Sequence, residues 1–392
     1  MKKLRQKTIL IIHYEGNFLN NPSLKCIVDT CLDLGWKVQM RCSKTGKSVL
    51  PAYRNVRYLE FGRLFRFVKT LVVDRLSSWF FMRAWVLYEA LFVYRTSFAF
   101  IVGVDRHGLI EGAILSQITR TPMVFISFEI LFEKETSIRF KSLEKRAAIR
   151  VAHWIIQDSV RAGCLQKENG FSAHNRFILP LASAGCGVKQ IPRLRDELLI
   201  PLDKKVAISI GSIVEWAMSK HILESVSSWP EEWVLIMHDR YGQTQQLVRN
   251  ALPGIKSLIG DRVFLSKTAP ALIDEMGGVL NGVSVGLAFY APDYIGPTRG
   301  DNLKFLGMAS GKISTYLRYG VPVIMNDIGL AAEAAVANRF GVVLDHPRAI
   351  GQALAVLDIQ ECSENALRYF SKKLDYEIYR AGLTQLFAGL AV

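Results

Sequence analysis

The chain of 392 residues is poor in cysteine, and its six cysteines form neither a CxxC pair nor a cluster with histidine. That spacing argues against a disulfide scaffold and a zinc module, and it favours a reducing compartment. The apolar run at residues 9–12, behind the basic N-terminus, is too short for the core of a signal peptide. A first β-strand is expected there instead.

A long uncharged apolar segment is also missing. The most hydrophobic tract, residues 79–104, is interrupted by Arg83, Glu89 and Arg95. Its longest uncharged run is therefore far shorter than the about 20 residues that a membrane-spanning helix needs. Hydrophobic residues still make up 50% of the chain, which excludes an intrinsically disordered protein. A folded protein that is soluble or peripheral to a membrane is expected.

Acidic residues are in deficit in the first half of the chain only. Residues 1–200 carry 31 Lys and Arg against 16 Asp and Glu, whereas residues 201–392 carry 18 against 19. The net charge of +14 therefore lies in the first half. This asymmetry predicts an anionic partner for that half, such as a nucleic acid, a phospholipid surface or a phosphorylated substrate.

Short apolar runs alternate with helical patterns along the chain. Strands are predicted at residues 8–13, 37–42, 56–61, 98–104, 123–127, 153–157, 176–180, 206–211, 233–238, 262–266, 283–289, 321–326 and 341–345. Strands that alternate with helices specify parallel sheets covered by helices on both faces, which places the chain in the α/β class with two doubly wound domains.

The alternation stops in a stretch that contains two glycines and two prolines, at about residues 183–204. Such a stretch is typical of a hinge between domains. The predicted organisation is an N-terminal domain (1–185), a linker (186–204), a second domain (205–362) and a closing helical segment (363–392) that crosses back to the first domain.

Residues 302–341 carry the most informative pattern, in which a turn, a helix and a strand are followed by a second helix. The turn Ser310-Gly311 places Lys312 at a helix start, where free backbone amides and a lysine would bind an anion. The second helix carries Glu333 in its first turns. An ordinary turn with a solvated lysine, and a glutamate that complements the helix dipole, remain open as alternatives.

The pattern SGKxxxYxxxGxPVI, with the glycine, the glutamate and the FGVVL strand that follow it, resembles the donor-binding half of GT-B-fold glycosyltransferases. The resemblance is greatest to bacterial enzymes of glycosyltransferase family four, and it extends from about residue 98 onward. It implies two Rossmann-like domains that face each other across a cleft, with a nucleotide sugar bound to the second domain. No metal or other cofactor is expected, because no DxD-type pair follows a strand.

Two positions depart from the family's pattern. Many members have a ribose-binding glutamate at the position of Thr315 and an arginine at the position of Ser212. The resemblance then implies that Lys312 and backbone amides bind a larger share of the diphosphate here than in those members. The implied donor-binding residues are Ser212, Lys220, His238, Asn302, Ser310, Gly311, Lys312 and Glu333. A lone histidine that ends a strand, as His238 does, is more often structural.

A catalytic base is expected on the first domain. An inverting transferase needs a carboxylate or an imidazole to take the proton of the acceptor hydroxyl, whereas a retaining enzyme need not have one. Family members often carry a histidine on the loop after the strand that matches residues 123–127, and Glu129 occupies that place here. Asp105, after the preceding strand, is the second candidate. Either residue could instead cap the following helix.

Residues 54–95 combine Arg and Lys with aromatic residues. Such a mixture on one face suits the interface of an anionic membrane, and Arg63, Arg66 and Lys69 are predicted to form an acceptor or membrane face. Alternatively, the aromatic residues belong to the core and the cations to a solvated face. A nucleic-acid partner is not expected, because no binding motif accompanies the charge.

Together these features predict a hexosyl- or glycosyltransferase that moves a sugar from a nucleotide sugar to a lipid-linked or polysaccharide acceptor. We expect it in the cytoplasm, peripheral to the inner face of the membrane. Two alternatives remain: a nucleotide-sugar epimerase of the same fold, and a catalytically silent, membrane-associated homologue. The departures at Thr315 and Ser212 leave room for the second.

Overall fold

The computed structural model of the protein contains thirteen strands in two parallel sheets, counted over its described residues. These are residues 7–15, 18–42, 55–61, 67, 78–94, 96–191, 193–240, 256–266 and 275–391. The chain divides into two compact units. Unit 1 comprises Met1–Pro180 and Tyr379–Val392, and unit 2 comprises Leu181–Ile378. The predicted fold class, with two doubly wound α/β domains, is confirmed.

The sheet of unit 1 has seven parallel strands in the order β3-β2-β1-β4-β5-β6-β7. Its strands are β1 (Thr8–Ile12), β2 (Lys37–Cys42), β3 (Val56–Glu60), β4 (Ile101–Val104), β5 (Met123–Ile126), β6 (His153–Ile156) and β7 (Arg176–Ile178).

The sheet of unit 2 has six parallel strands in the order β10-β9-β8-β11-β12-β13. Its strands are β8 (Lys205–Gly211), β9 (Trp233–Asp239), β10 (Val263–Ser266), β11 (Val285–Ala288), β12 (Val323–Met325) and β13 (Gly341–Val343). The strand order reverses beside β1 in the sheet of unit 1 and beside β8 in the sheet of unit 2. In open α/β sheets, ligands bind beyond the carboxyl ends of the strands at such a point.

The helices of the described ranges are α1 (Pro22–Asp33), α2 (Trp79–Phe92), α3 (Asp105–Thr119), α4 (Ile138–Ala148), α5 (Ser159–Asn169), α6 (Arg193–Glu197), α7 (Ser219–Ser225), α8 (Gly277–Leu280), α9 (Asp301–Lys304), α10 (Gly311–Arg318), α11 (Leu330–Asn338), α12 (Ile350–Val356), α13 (Ile359–Tyr369) and α14 (Glu377–Leu390). In these ranges, every helix falls short of the length and hydrophobicity that a bilayer-spanning segment requires. The predicted membrane face at Arg63, Arg66 and Lys69 lies outside the described residues.

The strands are apolar on both faces because helices cover both faces of each sheet. In β8, Val206 and Ile208 pack into one hydrophobic cluster of unit 2, whereas Ala207, between them, packs into a second cluster. In unit 1, Ile9 and the three residues that follow it are completely buried. Fully buried strands carry continuous apolar runs, which explains why these strands could be recognised in the sequence.

The last residues of the chain complete the core of unit 1. Leu383 and Phe387 of α14 are completely buried, and the ring of Phe387 stacks on that of Phe100 with 5.0 Å between the ring centroids. The Arg380 guanidinium lies 2.9 Å from the Asp33 carboxylate at the end of α1. Residues 379–392 are therefore an integral part of this unit.

A group of buried polar side chains, called here the Arg41 cluster, joins α2 to the sheet of unit 1. Arg41 of β2 donates a hydrogen bond to Glu89 of α2, and the hydroxyls of Tyr14 and Tyr94 donate to the Glu111 carboxylate at 2.6 and 2.8 Å. Burial and the nearby Glu111 raise the pKa of Glu89, whereas Arg41 acts in the opposite direction. One guanidinium therefore faces two carboxyl groups, and Glu89 tends to retain its proton.

Candidate functional site

The start of α10 is a helix N-terminus that Ser310 caps. The first-turn amides of any helix lack an intrahelical acceptor. The Ser310 hydroxyl oxygen caps the helix by accepting from the amide of Ile313 at 3.4 Å, and it lies 2.8 Å from the hydroxyl of Tyr290. Within the described residues, no acceptor takes the amides of Gly311 and Lys312.

Lys312 extends over the end of β8. Its Nζ lies 5.4 Å from the centroid of the Tyr290 ring, and Gly211 ends β8 with a φ of +93°. A Cβ on Gly211 would lie 3.3 Å from Lys312 Cε, so glycine leaves room for the lysine. Burial lowers the pKa of Lys312 to about 8. In the described ranges no carboxylate lies within 4 Å of this ammonium.

Two residues hold Tyr290 in place after β11. Asn326, directly after β12, accepts a hydrogen bond from the Tyr290 amide and donates one to its carbonyl, both at 2.8 Å. The Trp216 ring lies nearly parallel to the Tyr290 ring, with 6.2 Å between the centroids and 13° between the planes. Contacts within the protein therefore hold the Tyr290 ring in place next to Lys312.

Tyr316 of α10 anchors the helix to the sheet. Its hydroxyl accepts a hydrogen bond from the Ile210 amide at 3.1 Å and lies 3.1 Å from the carbonyl of Ile208 in β8. A Cβ on Gly286 in β11 would lie 2.4 Å from this ring, so the helix can approach only because residue 286 is glycine. These contacts fix the position of the helix start.

Three other predicted donor-binding residues lie at the ends of strands β8 and β9 or on helix α9. Ser212 follows Gly211. His238 is buried in β9 with its Nδ1 2.8 Å from the Ser266 hydroxyl, and burial lowers its pKa to about 4, so its imidazole is neutral. Asn302 is buried in α9 and donates to the carbonyl of Thr298 at 3.2 Å.

Lys220 and Glu333 are exposed. Lys220 lies on α7, 3.8 Å from Glu224 one turn further on, and Glu333 lies in the first turn of α11, which follows Gly329. Lys312 lies near Gly211 and the Tyr290 ring, and Ser310 contacts Tyr290. Among the described residues, no such contact joins Lys220, His238 or Glu333 to this group. The donor-binding roles of all the predicted residues stay predictions.

In unit 1, the two predicted base residues lie next to each other after β4 and β5. The Asp105 carboxylate accepts hydrogen bonds from the amides of Phe128 and Glu129 at 2.7 and 3.0 Å. Burial and the carboxylates of Glu129 and Glu15 raise the pKa of Asp105, whereas these amides act in the opposite direction. Glu129 itself is exposed. Asp105 thus holds the loop that presents Glu129 and does not cap α3.

Two further buried residues support that loop. Arg161 is completely buried and donates to the carbonyl of Phe128 at 2.8 Å, and the Ser127 hydroxyl donates to the carbonyl of Glu129 at 2.9 Å. At the other side of Asp105, a Cβ on Gly103 would lie 2.4 Å from the carbonyl oxygen of Gly108, so this turn requires glycine. The carboxylate of Glu129 is therefore presented by a well-supported backbone.

These elements define the GT-B fold, which the chain shares with solved glycosyltransferases. It is similar to sucrose-phosphate synthase from Thermosynechococcus elongatus, with a TM-score of 0.72 at 14% identity over 98% of this chain and 99% of that chain. It is also similar to Anabaena Alr3699/HepE in complex with UDP and glucose, with a TM-score of 0.67 at 16% identity over 98% and 99% of the two chains.

A third similar structure is WaaG, a glycosyltransferase involved in lipopolysaccharide biosynthesis, with a TM-score of 0.64 at 14% identity over 97% of this chain and 100% of that chain. No protein-family profile and no curated protein sequence matches the chain. The likenesses confirm the GT-B fold predicted from the sequence, and membership of family four stays a prediction.

Proposed function

We propose that the protein is a glycosyltransferase that uses a nucleoside diphosphate sugar as its donor. Lys312 carries the proposal. In the described ranges this partly buried ammonium has no carboxylate within 4 Å, and two amides at the start of its helix have no acceptor. A buried charge without a counterion costs folding free energy, and a bound diphosphate would supply the counterion. The UDP and UDP-glucose complexes of Anabaena HepE support a nucleotide sugar, and the second supports a hexose.

In the proposed reaction, the acceptor oxygen forms a bond to the anomeric carbon while the bond from that carbon to the diphosphate oxygen breaks. Negative charge grows on the departing diphosphate, and Lys312 and the α10 amides stabilise it more than they stabilise the bound donor. Transfer proceeds without a metal ion in this proposal. In an inverting reaction Glu129 takes the proton of the acceptor hydroxyl. In a retaining reaction an oxygen of the departing diphosphate takes this proton, so no such base is needed.

The proposed acceptor is a lipid-linked or polysaccharide intermediate that unit 1 binds in the cytoplasm, at the inner face of the membrane. The excess of Lys and Arg in residues 1–200 supports an acceptor or surface that bears phosphate. The role of WaaG in lipopolysaccharide biosynthesis supports a glycan product. Product analysis distinguishes this activity from epimerisation, since a transferase releases sugar or transfers it, and an epimerase returns an isomerised nucleotide sugar.

The test is the binding of UDP, GDP, ADP, CMP and dTDP to the wild-type protein and to Lys312→Ala, measured by titration calorimetry. The best diphosphate is expected to bind roughly 10- to 150-fold more weakly to the variant, which is the loss of one charge-assisted contact of about 1.5–3 kcal/mol. The corresponding nucleoside lacks the diphosphate and should bind equally to both proteins. Equal diphosphate binding by the two proteins would place the donor site elsewhere.

The pH dependence of binding gives a second, independent readout. Because burial lowers the pKa of Lys312 to about 8, the unliganded protein loses this positive charge as the pH rises through that value. Diphosphate affinity should therefore decrease between pH 7.5 and 9.5. Lys312→Arg is the matched control, because a guanidinium stays charged over this range and should remove the pH dependence. An identical profile for both proteins contradicts the assignment.

A further inference from the structure

Helix α2 presents an apolar face to the solvent. The exposed fractions of the side chains on this outer face are 74% for Phe80, 51% for Phe81, 45% for Leu87, 50% for Tyr88, 66% for Leu91 and 60% for Phe92. These positions are related by spacings of four and seven residues and therefore share one side of the helix. Contiguous exposed apolar surface of this kind marks an interaction site.

The opposite, buried face of α2 contains an acidic residue. Met82, Val86 and Glu89 are buried, and Glu89 belongs to the Arg41 cluster. The helix carries only one other charged residue, Arg83, which is exposed. A helix on the surface of a water-soluble domain buries its apolar face and exposes its charges. In α2 this arrangement is partly reversed, because six large apolar side chains are exposed and Glu89 is buried beside Met82 and Val86.

The partly reversed arrangement suits a helix whose outer face lies in lipid. Apolar side chains lose little by leaving the protein core when hydrocarbon surrounds them, so burial of apolar surface holds such a helix on its domain only weakly. A buried hydrogen bond can hold it, and the Arg41–Glu89 contact supplies one. The helix has 14 residues and is therefore about 21 Å long, too short to cross a hydrocarbon core of about 30 Å.

Cations lie beside the N-terminal end of this apolar face. The Arg146 guanidinium of α4 lies 4.5 Å from the centroid of the Trp79 ring, at the first residue of α2. Arg139 lies seven residues before Arg146 and shares its face of α4. Both arginines are exposed, as is Arg83 on α2 itself. Positive charge thus accompanies the apolar face.

We propose that the outer face of α2 inserts into the interfacial layer of an anionic lipid bilayer, with Arg83, Arg139 and Arg146 against the lipid phosphates. Amphipathic helices lie in the membrane plane in this manner, and nearby cations add to their affinity for anionic lipid. A second copy of the chain is a poorer occupant, because contact through α2 would bring the same arginines of two chains together. The proposal does not depend on glycosyl transfer or on Lys312.

The test is co-sedimentation of the full chain with vesicles of phosphatidylcholine alone and of phosphatidylcholine with phosphatidylglycerol, without any nucleotide sugar. Phe80→Glu combined with Leu91→Glu should lower binding to the anionic vesicles at least tenfold. The matched control is Val188→Glu combined with Val356→Glu, which changes the net charge equally at two exposed apolar positions of unit 2 and should bind as the wild type does. Circular dichroism verifies that both variants are folded.

The contribution of the cations is tested with Arg83→Gln combined with Arg139→Gln. Each cation close to the surface contributes a factor of about five, so binding to anionic vesicles at low salt should fall roughly 25-fold, and 0.5 M salt should remove most of the difference. Wild-type binding by the Phe80/Leu91 variant would overturn the proposal. The proposal would also be overturned if sedimentation velocity showed a dimer for the wild type and a monomer for this variant, because α2 would then be an interface between chains.

Discussion

Replacement of Glu129 by glutamine is expected to slow sugar transfer by about 10²- to 10⁴-fold, the usual contribution of a positioned general base. Glutamine has nearly the same shape but cannot accept the acceptor's proton. The loop should keep its structure, because Asp105 and Arg161 hold its backbone and do not depend on the Glu129 side chain. Steady-state kinetics should show the loss in kcat, with diphosphate binding to unit 2 unchanged.

Asp105→Asn is the matched control for this experiment. The amide oxygen of asparagine can still accept from the amides of Phe128 and Glu129, so a residue that only positions the loop should lose far less activity than Glu129→Gln. A larger loss in Asp105→Asn than in Glu129→Gln would assign the base to Asp105. Full activity of both variants would show that neither carboxylate acts as the base.

Replacement of Arg41 by methionine is expected to lower the free energy of unfolding of unit 1 by about 3–5 kcal/mol, because removal of one partner leaves buried carboxyl groups without their cation. Arg41 and Glu89 are both almost completely buried, so water cannot replace the lost contact. Hydrogen exchange at the amides of β1 and β2 reports the unfolding of this unit separately from unit 2. An effect below about 1 kcal/mol, the range of surface pairs, would contradict the expectation.

Glu89→Gln is the control for the Arg41 cluster. Since the pKa of Glu89 is raised in the folded state, the folded protein binds more protons than the unfolded chain above the ordinary carboxyl range of about 4.5, and stability should decline as the pH rises. Glutamine resembles the protonated carboxyl group and should remove that decline while costing much less than Arg41→Met at pH 7. An equal decline in the variant and the wild type would show that Glu89 is charged in the folded protein.

The parallel sheets could be predicted from the sequence because buried strands carry continuous apolar runs, whereas α2 could not be recognised as a surface helix. The tract that contains α2 is hydrophobic, and Arg83 and Glu89 interrupt it without a clear period. Sequence patterns locate the inner face of a helix by assuming that polar residues face water. In α2 the acidic Glu89 is buried with Met82 and Val86 while six large apolar side chains are exposed, so that assumption fails for this helix.

Only the part of the candidate site that lies within one short stretch of the sequence could be predicted. The Ser310-Gly311-Lys312 turn by itself indicates the start of a helix, and the structure confirms that α10 begins at Gly311. Tyr290 and Trp216, which form the surface near Lys312, were not predicted. Tyr290 contacts Ser310 across twenty residues, and only the parallel order of β8, β11 and β12 brings such positions to one edge.

The return of the chain to unit 1 at Tyr379 has a consequence for protein synthesis. Phe100 is completely buried against Phe387, yet the whole of unit 2, residues 181–378, is translated between them. At about 5–20 residues per second, that interval lasts roughly 10–40 s. Unit 2 can fold during this time, while unit 1 still exposes the apolar surface that α14 later covers. The nascent chain therefore presents a binding surface for chaperones that the finished protein lacks.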